Sequence, residues 1–300
     1  MFDKKIGFGY ATLFLYCLIT GVSIFSIHQA AQLADPISLA LYVFLSCALI
    51  FNALNFKNIR STYAVANSDR KSILTLNVLT AIVWLSTFWS LKYISPTVFI
   101  VIYMGIIPIT AYLTQVIKTQ KSSWTELLLI IILAILIASI VTVHELLFPS
   151  RNPTLLQGIL PAIIAGVSGN FYVLYSRYLQ HKLNLVSLDI SSLRFYLLIF
   201  IGIIWALAHV STHQLTIGIT AYNVLFITLV SSVLPLYLLQ NSIHNLGPLK
   251  TAYILPLTLI FTYWVELVSG VQFEWSLLLL IVLLVTILAL PLKMESKSSS

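Results

Sequence analysis

Hydrophobic runs separated by short polar breaks recur along the whole chain. A run of about 20 apolar residues is long enough to cross a bilayer as a helix. Ten such segments are predicted, at about 9–31, 37–56, 72–91, 95–117, 124–143, 154–176, 187–209, 220–240, 247–268 and 274–292. The longest connection, 57–71, holds Lys57, Arg60, Asp69 and Arg70, and a polar tail occupies 293–300. The first run follows Lys4 and Lys5, as the core of a signal peptide does. It exceeds the roughly 7–15 residues of such a core, so it reads as a retained helix.

The pattern inside the runs repeats. Thr20-Gly21-Val22-Ser23 in segment one is echoed by Ala165-Gly166-Val167-Ser168 in segment six. Ser38-Leu39-Ala40-Leu41-Tyr42 in segment two is echoed by Ser192-Leu193-Arg194-Phe195-Tyr196 in segment seven. Two proline stretches match as well, Ser95-Pro96 leading to Pro108 and Gly247-Pro248 leading to Pro256. Proline suits a first helical turn, and inside a helix it removes a hydrogen bond and bends the axis. Three echoes in the same order make a unit of five segments. An odd number of crossings turns the second unit upside down, the inverted-repeat plan of secondary transporters. The expected fold is therefore an all-α integral membrane protein of about ten transmembrane helices. Its two inverted five-helix repeats are residues 1–146 and 147–292, followed by the tail 293–300.

Composition agrees. Of 300 residues, 59% are hydrophobic and 8% charged, against about 25% charged in soluble domains. The net charge of +7 needs no nucleic-acid partner, because its distribution describes a topology. With the N-terminus inside, thirteen of the 16 Lys and Arg residues fall on the cytoplasmic side. Lys92 and Arg151 fall outside, and Arg194 lies within segment seven. Both termini are then cytoplasmic, in a multi-pass protein of the cytoplasmic (inner) membrane. Cys17 and Cys47 sit in apolar runs and read as buried small side chains rather than a disulfide or metal pair.

Ser90-Leu91-Lys92-Tyr93-Ile94-Ser95-Pro96 leading to Pro108, and Asn241 to Pro248 leading to Pro256, carry a family likeness. With the five-plus-five plan, the chain resembles the drug/metabolite transporter superfamily, in particular its EamA-like members. The resemblance implies a carrier of small metabolites that works by alternating access, often an exporter. The Gly-Glu pair that often closes the fourth and ninth helices of that family has no counterpart here.

The polar residues inside the runs are the candidates for a site. Asn170, near the middle of segment six, reads either as an interhelical hydrogen-bonding group or as a cavity residue that contacts substrate. Tyr103 and Tyr253 lie in the two proline stretches, and their hydroxyls are expected to point inward. Trp84 and Gln240 lie in segments three and eight and are candidates for the same cavity. Ser23 and Ser168 hold equivalent repeat positions, either as small packing residues or as substrate contacts. Arg194 is about 10 Å from the cytoplasmic end at 1.5 Å per residue. It is expected to snorkel or to pair with Asp189, with anion binding as the alternative.

The nine acidic residues are placed at helix ends, in loops or in the tail, and His28 and His209 at outer interfaces. Proton coupling is therefore expected to be weak or absent. There is no Walker motif and no metal-ligand spacing, so no cofactor is expected. The expected partners are a small-molecule substrate and membrane lipids.

The expected function is secondary transport, as exporter or facilitator, of a small metabolite such as an amino acid or an aromatic compound. A lipid-translocating or structural membrane protein is the alternative. Gly166-Val167-Ser168-Gly169 with Ala208-His209 spells a motif of intramembrane serine proteases. The Ser would lie roughly 20 Å deep, too far from a histidine at an outer end, so no enzyme is expected.

Overall fold

A computed structural model describes residues 3–120, 124–148, 155–209, 221–246, 251 and 254–289. Among the described residues every regular element is a helix. In chain order these are α1 (Asp3–Leu33), α2 (Pro36–Leu54), α3 (Ile59–Ser68), α4 (Arg70–Tyr93), α5 (Pro96–Thr119), α6 (Trp124–Leu147) and α7 (Leu155–Leu183). They continue as α8 (Ser187–Leu193), α9 (Tyr196–Ala208), α10 (Ala221–Thr228), a π-helical turn (Leu229–Val233), α11 (Leu234–Leu246), α12 (Leu257–Val268) and α13 (Trp275–Ala289).

Seven segments are long and apolar enough to cross a membrane: Gly7–Leu33, Pro36–Leu54, Arg70–Tyr93, Pro96–Thr114, Trp124–Leu147, Leu155–Leu183 and Ser187–Ala208. Shorter apolar helices, Asn223–Leu239, Leu257–Val268 and Trp275–Ala289, fall on the other three predicted segments. This is the architecture of a multi-pass, all-α membrane protein.

Local chemistry sets the helix starts. Asp35 caps α2, accepting from the amides of Ile37 and Ser38, and Pro36 occupies the first turn. Ser95 caps α5 in the same way, accepting from Val98 N at 3.2 Å ahead of Pro96. Each side chain satisfies an amide that the helix leaves without an internal partner. Pro108 does not end α5, which runs on to Thr119. Gly247, Pro248, Lys250 and Tyr253 lie outside the described residues.

The helices of the two sequence halves interleave. α1 packs on α11 and α12, and α7 packs on α4 and α5. α2 meets α9 and α10, α4 meets α9, α5 meets α12, and α6 meets α13. One core runs through both halves, with Phe44, Phe88, Phe195 and Tyr263 fully buried in it. Gly21 and Gly166 mark two close approaches to a neighbouring helix backbone. A Cβ on Gly21 would lie 3.0 Å from the Thr262 amide nitrogen, and one on Gly166 would lie 3.0 Å from the Tyr103 carbonyl oxygen. Small residues at such crossings let backbones approach where lipid supplies no hydrophobic drive.

Three predictions about segments are corrected. The 57–71 connection contains α3, a short helix in which Arg60, Ser61, Thr62, Asn67 and Ser68 interrupt the apolar positions. A search for 20-residue apolar runs passes over it. Segment seven is not one helix: α8 stops at Leu193 and α9 begins at Tyr196. Segment eight carries the π-turn just ahead of Pro235. That proline has no N–H to bond back to the preceding turn, and the wider turn accommodates the loss.

Candidate functional site

The break in segment seven sits inside the bundle. Nothing in Ser187–Tyr196 is a Gly or Pro, so the break is made from outside the segment. Asn77 of α4 supplies it. Its Nδ2 donates to Leu193 O at 2.8 Å, and its Oδ1 accepts from Leu197 N at 3.2 Å. One amide thereby satisfies a carbonyl and an N–H on the two sides of the break, as an irregular backbone away from water requires.

Arg194 stands in this break. It is 5% exposed, so it does not snorkel to an interface. Nη1 donates to the Tyr172 hydroxyl at 2.5 Å, and the guanidinium lies 4.6 Å from the Phe195 ring centre and 5.6 Å from that of Tyr172. Its Nε has no hydrogen-bond partner. Nor does it pair with Asp189, whose carboxylate is taken by Thr62 Oγ1 at 2.5 Å, Asn55 Nδ2 at 3.0 Å and Val186 N at 3.0 Å. Among the described residues the one ion pair joins Lys182 to Asp69. Both ordinary resolutions expected for Arg194 therefore fail.

Other polar groups gather at the irregular turns. Ser231 and Ser232 of the π-turn are buried, and the Cys47 thiol lies beside Ser232 within the field of Arg194. The Cys17 thiol donates to Ile254 O at 3.7 Å and to Leu255 O at 3.9 Å, the carbonyls ahead of Pro256. Both cysteines are free and buried.

Asn170 is 8% exposed, and its Nδ2 has no partner. Tyr103 presses its hydroxyl on the neighbouring Gly169, where a Cβ would lie 2.8 Å from it. Trp84 packs 4.9 Å from Phe44, which stacks 5.0 Å from Phe195, so aromatic rings lead from Trp84 to Arg194. The structure thus brings Asn170 and Tyr103 to one helix crossing and Trp84 to the aromatic side of the break. Ser168 is turned onto its own helix, donating to Ile164 O at 2.5 Å, and Ser23 is buried in α1. Tyr253 and the Gln240 side chain lie outside the described residues.

Neither a protein-family model nor a curated protein sequence matches this chain.

At the opposite end of the bundle a second polar group occurs. Glu266 is 3% exposed and accepts from Thr97 Oγ1. Ser95 Oγ bonds His144 Nε2 at 3.1 Å, and His144 is itself buried. His28 turns its Nδ1 onto Leu91 O at 2.6 Å rather than facing an interface, and His209 stacks on Trp205 at 3.9 Å. Glu266 stands near a helix end, as its sequence position says, yet its carboxyl is enclosed by protein. This removes the basis for excluding an interior acid.

Two apolar clefts of about 540 Å³ each open beside α3. One is lined by Leu45, Leu49, Asn52 and Arg60, the other by Arg70, Leu74, Asn77 and Phe200. Tyr63 and Tyr196, hydrogen-bonded through their hydroxyls, line both.

Sequence reasoning expected Arg194 to snorkel or to pair with Asp189, with anion binding as the alternative, and did not single out Asn77, Tyr172, Ser231 or Ser232. For Asn77 a signal existed, an amide in the middle of an apolar run. Pro235 was the signal for the π-turn.

Proposed function

We propose that this protein is a secondary transporter of the cytoplasmic membrane, with both termini cytoplasmic. It moves a small metabolite, such as an amino acid or an aromatic compound, by alternating access between two inverted five-helix repeats. The EamA-like resemblance belongs to the same proposal.

Packing supports the repeat. Exchanging each segment for the one five places on turns the contacts between the halves into one another, while α1 on α4 and α2 on α4, both within the first half, have no such counterpart among the described residues. α1 on α11 and α12 becomes α7 on α4 and α5, and α2 on α10 becomes α9 on α4. The pairs α2–α9, α5–α12 and α6–α13 map onto themselves. Gly21 and Gly166, 145 residues apart, make equivalent close approaches.

The observation that carries transport is the interior irregularity. Helices break or widen at Arg194–Phe195, Leu229–Val233 and Leu255–Pro256, and buried polar atoms of Arg194 and Asn170 have no protein partner. Broken helices with free polar groups at a repeat interface are where such carriers hold substrate. A serine-protease reading gains nothing, since Ser168 and His209 are both bonded within their own helices.

Purified protein in liposomes, assayed against amino acids, sugars, nucleosides and drugs, tests the reading. Asn170→Leu should abolish transport of whichever solute moves while leaving membrane insertion intact. Normal transport by that variant would remove Asn170 from the site. A second reading, lipid translocation, draws on the two apolar clefts beside α3, with Arg60 and Arg70 on their linings. Lipid scrambling in the same liposomes, without solute movement, would favour it.

A further inference from the structure

We propose that the solute this carrier handles is a small organic monocarboxylate, and that the Arg194 guanidinium receives its carboxylate. The inference rests on the transport reading and narrows it to a substrate class.

An arginine keeps its charge in proteins, and a buried charge is ordinarily paired. Arg194 is 5% exposed and has no carboxylate oxygen within 4.0 Å among the described residues. Asp189, the nearest acid in sequence, is engaged by three donors of its own and not by Arg194. What Arg194 does have is partial: one hydroxyl from Tyr172, two ring faces, and the carbonyl end of α8, whose C-cap it is. These hold a cation in place. They leave Nε without an acceptor, so the fork that suits a carboxylate is only half used.

The break places the start of α9 two residues beyond Arg194. The surroundings limit the charge and describe the body of the ligand. Lys182 is engaged by Asp69, and among the described residues no second lysine or arginine is buried. A dianion would bring a charge that no described group there answers. Phe195, Phe44, Phe51 and Trp84 pack as a continuous aromatic cluster beside the guanidinium, so its surroundings are apolar and suit an apolar or aromatic body. The Cys47 thiol, beside Ser232 and within the field of Arg194, adds a weak polar group.

The test uses the full chain purified in detergent and compares carboxylates with their neutral amides by thermal-melt titration. The probe pairs are benzoate with benzamide, phenylacetate with phenylacetamide and hexanoate with hexanamide, with sodium chloride as the ionic control. At least one carboxylate should stabilise the protein while its amide and chloride do not. Arg194→Gln should weaken that carboxylate by about tenfold or more, the scale of losing a charge-assisted hydrogen bond. Should that variant fail to fold, Arg194→Lys keeps the charge and loses the fork, and should still bind measurably more weakly than the natural protein. Equal stabilisation by carboxylate and amide, no stabilisation by any carboxylate, or unchanged affinity in the folded arginine variants would overturn the proposal.

Liposomes separate this inference from its parent. A protein that moves neutral solutes and ignores carboxylates keeps the transport reading and loses the anion site. One that binds carboxylates in an Arg194-dependent way but moves none keeps the site and loses transport.

Discussion

The two halves of the chain contain the same number of apolar segments but treat their backbones differently. In the first half α1, α2, α4, α5 and α6 run without interruption, α5 even through Pro108. In the second half segments seven, eight and nine each break or widen. The side chains at those irregular points come from the regular half. Asn77 of α4 holds the Arg194 break, Cys17 of α1 donates to Ile254 and Leu255, and Cys47 of α2 lies beside the π-turn. Continuous helices thus serve as a frame that satisfies the freed backbone of interrupted ones. That division of labour is what allows irregular backbone in a membrane.

The largest effect on this contrast should come from Asn77→Leu. It strands Leu193 O and Leu197 N, two buried groups at about 1–3 kcal/mol each, so a stability loss of about 3 kcal/mol is expected. Chemical or thermal denaturation of the detergent-solubilised protein reads it. A variant as stable as the natural protein would mean that the break closes without its amide.

Next in size are Gly21→Val and Gly166→Val, the equivalent crossings of the two halves. Each forces side-chain atoms against backbone already at 3.0 Å, an overpacking cost of about 1–3 kcal/mol. Gly7→Val, with no atom within 4 Å of the added Cβ, is the control and should change stability little. Similar losses at Gly21 and Gly166 sharpen the equivalence of the halves. A loss at only one would break it.

The smallest effect concerns Asp69, which caps α4 and bonds Lys182 in the last turn of α7 at 2.5 Å, tying the halves together at the ends of two spans. The Lys182 ammonium, with Ser72, holds the Asp69 carboxyl below its usual range. A depressed carboxyl contributes stability above its unfolded value of about 3.9 and loses it as pH falls through the folded value. Asp69→Asn should therefore melt slightly lower near neutral pH, and the difference should vanish in acid. A difference that persists in acid would assign the effect to the cap geometry and not to the charge.

Much of this frame was legible in the residues. The positions of the apolar segments, the Ser95-Pro96 helix start and the burial of both cysteines follow from hydropathy and capping chemistry. The breaks were legible only in part. Pro235 and Pro256 announce two of them, but Ser187–Tyr196 holds no breaker. Its interruption depends on Asn77, more than a hundred residues earlier. Arg194 was misplaced for the same reason, because depth along a helix says nothing of which way a side chain turns. Glu266 shows this again: two residues from a helix end, it is nonetheless enclosed.

The central claim, alternating access through the contact of the two halves, is tested most directly at Asn170. A cysteine placed there, in a background with Cys17 and Cys47 replaced by alanine, can be probed with a membrane-impermeant thiol reagent. Right-side-out and inside-out vesicles present the two faces separately. The account predicts labelling from both faces. Labelling from one face only, whatever solute is added, or from neither would contradict it.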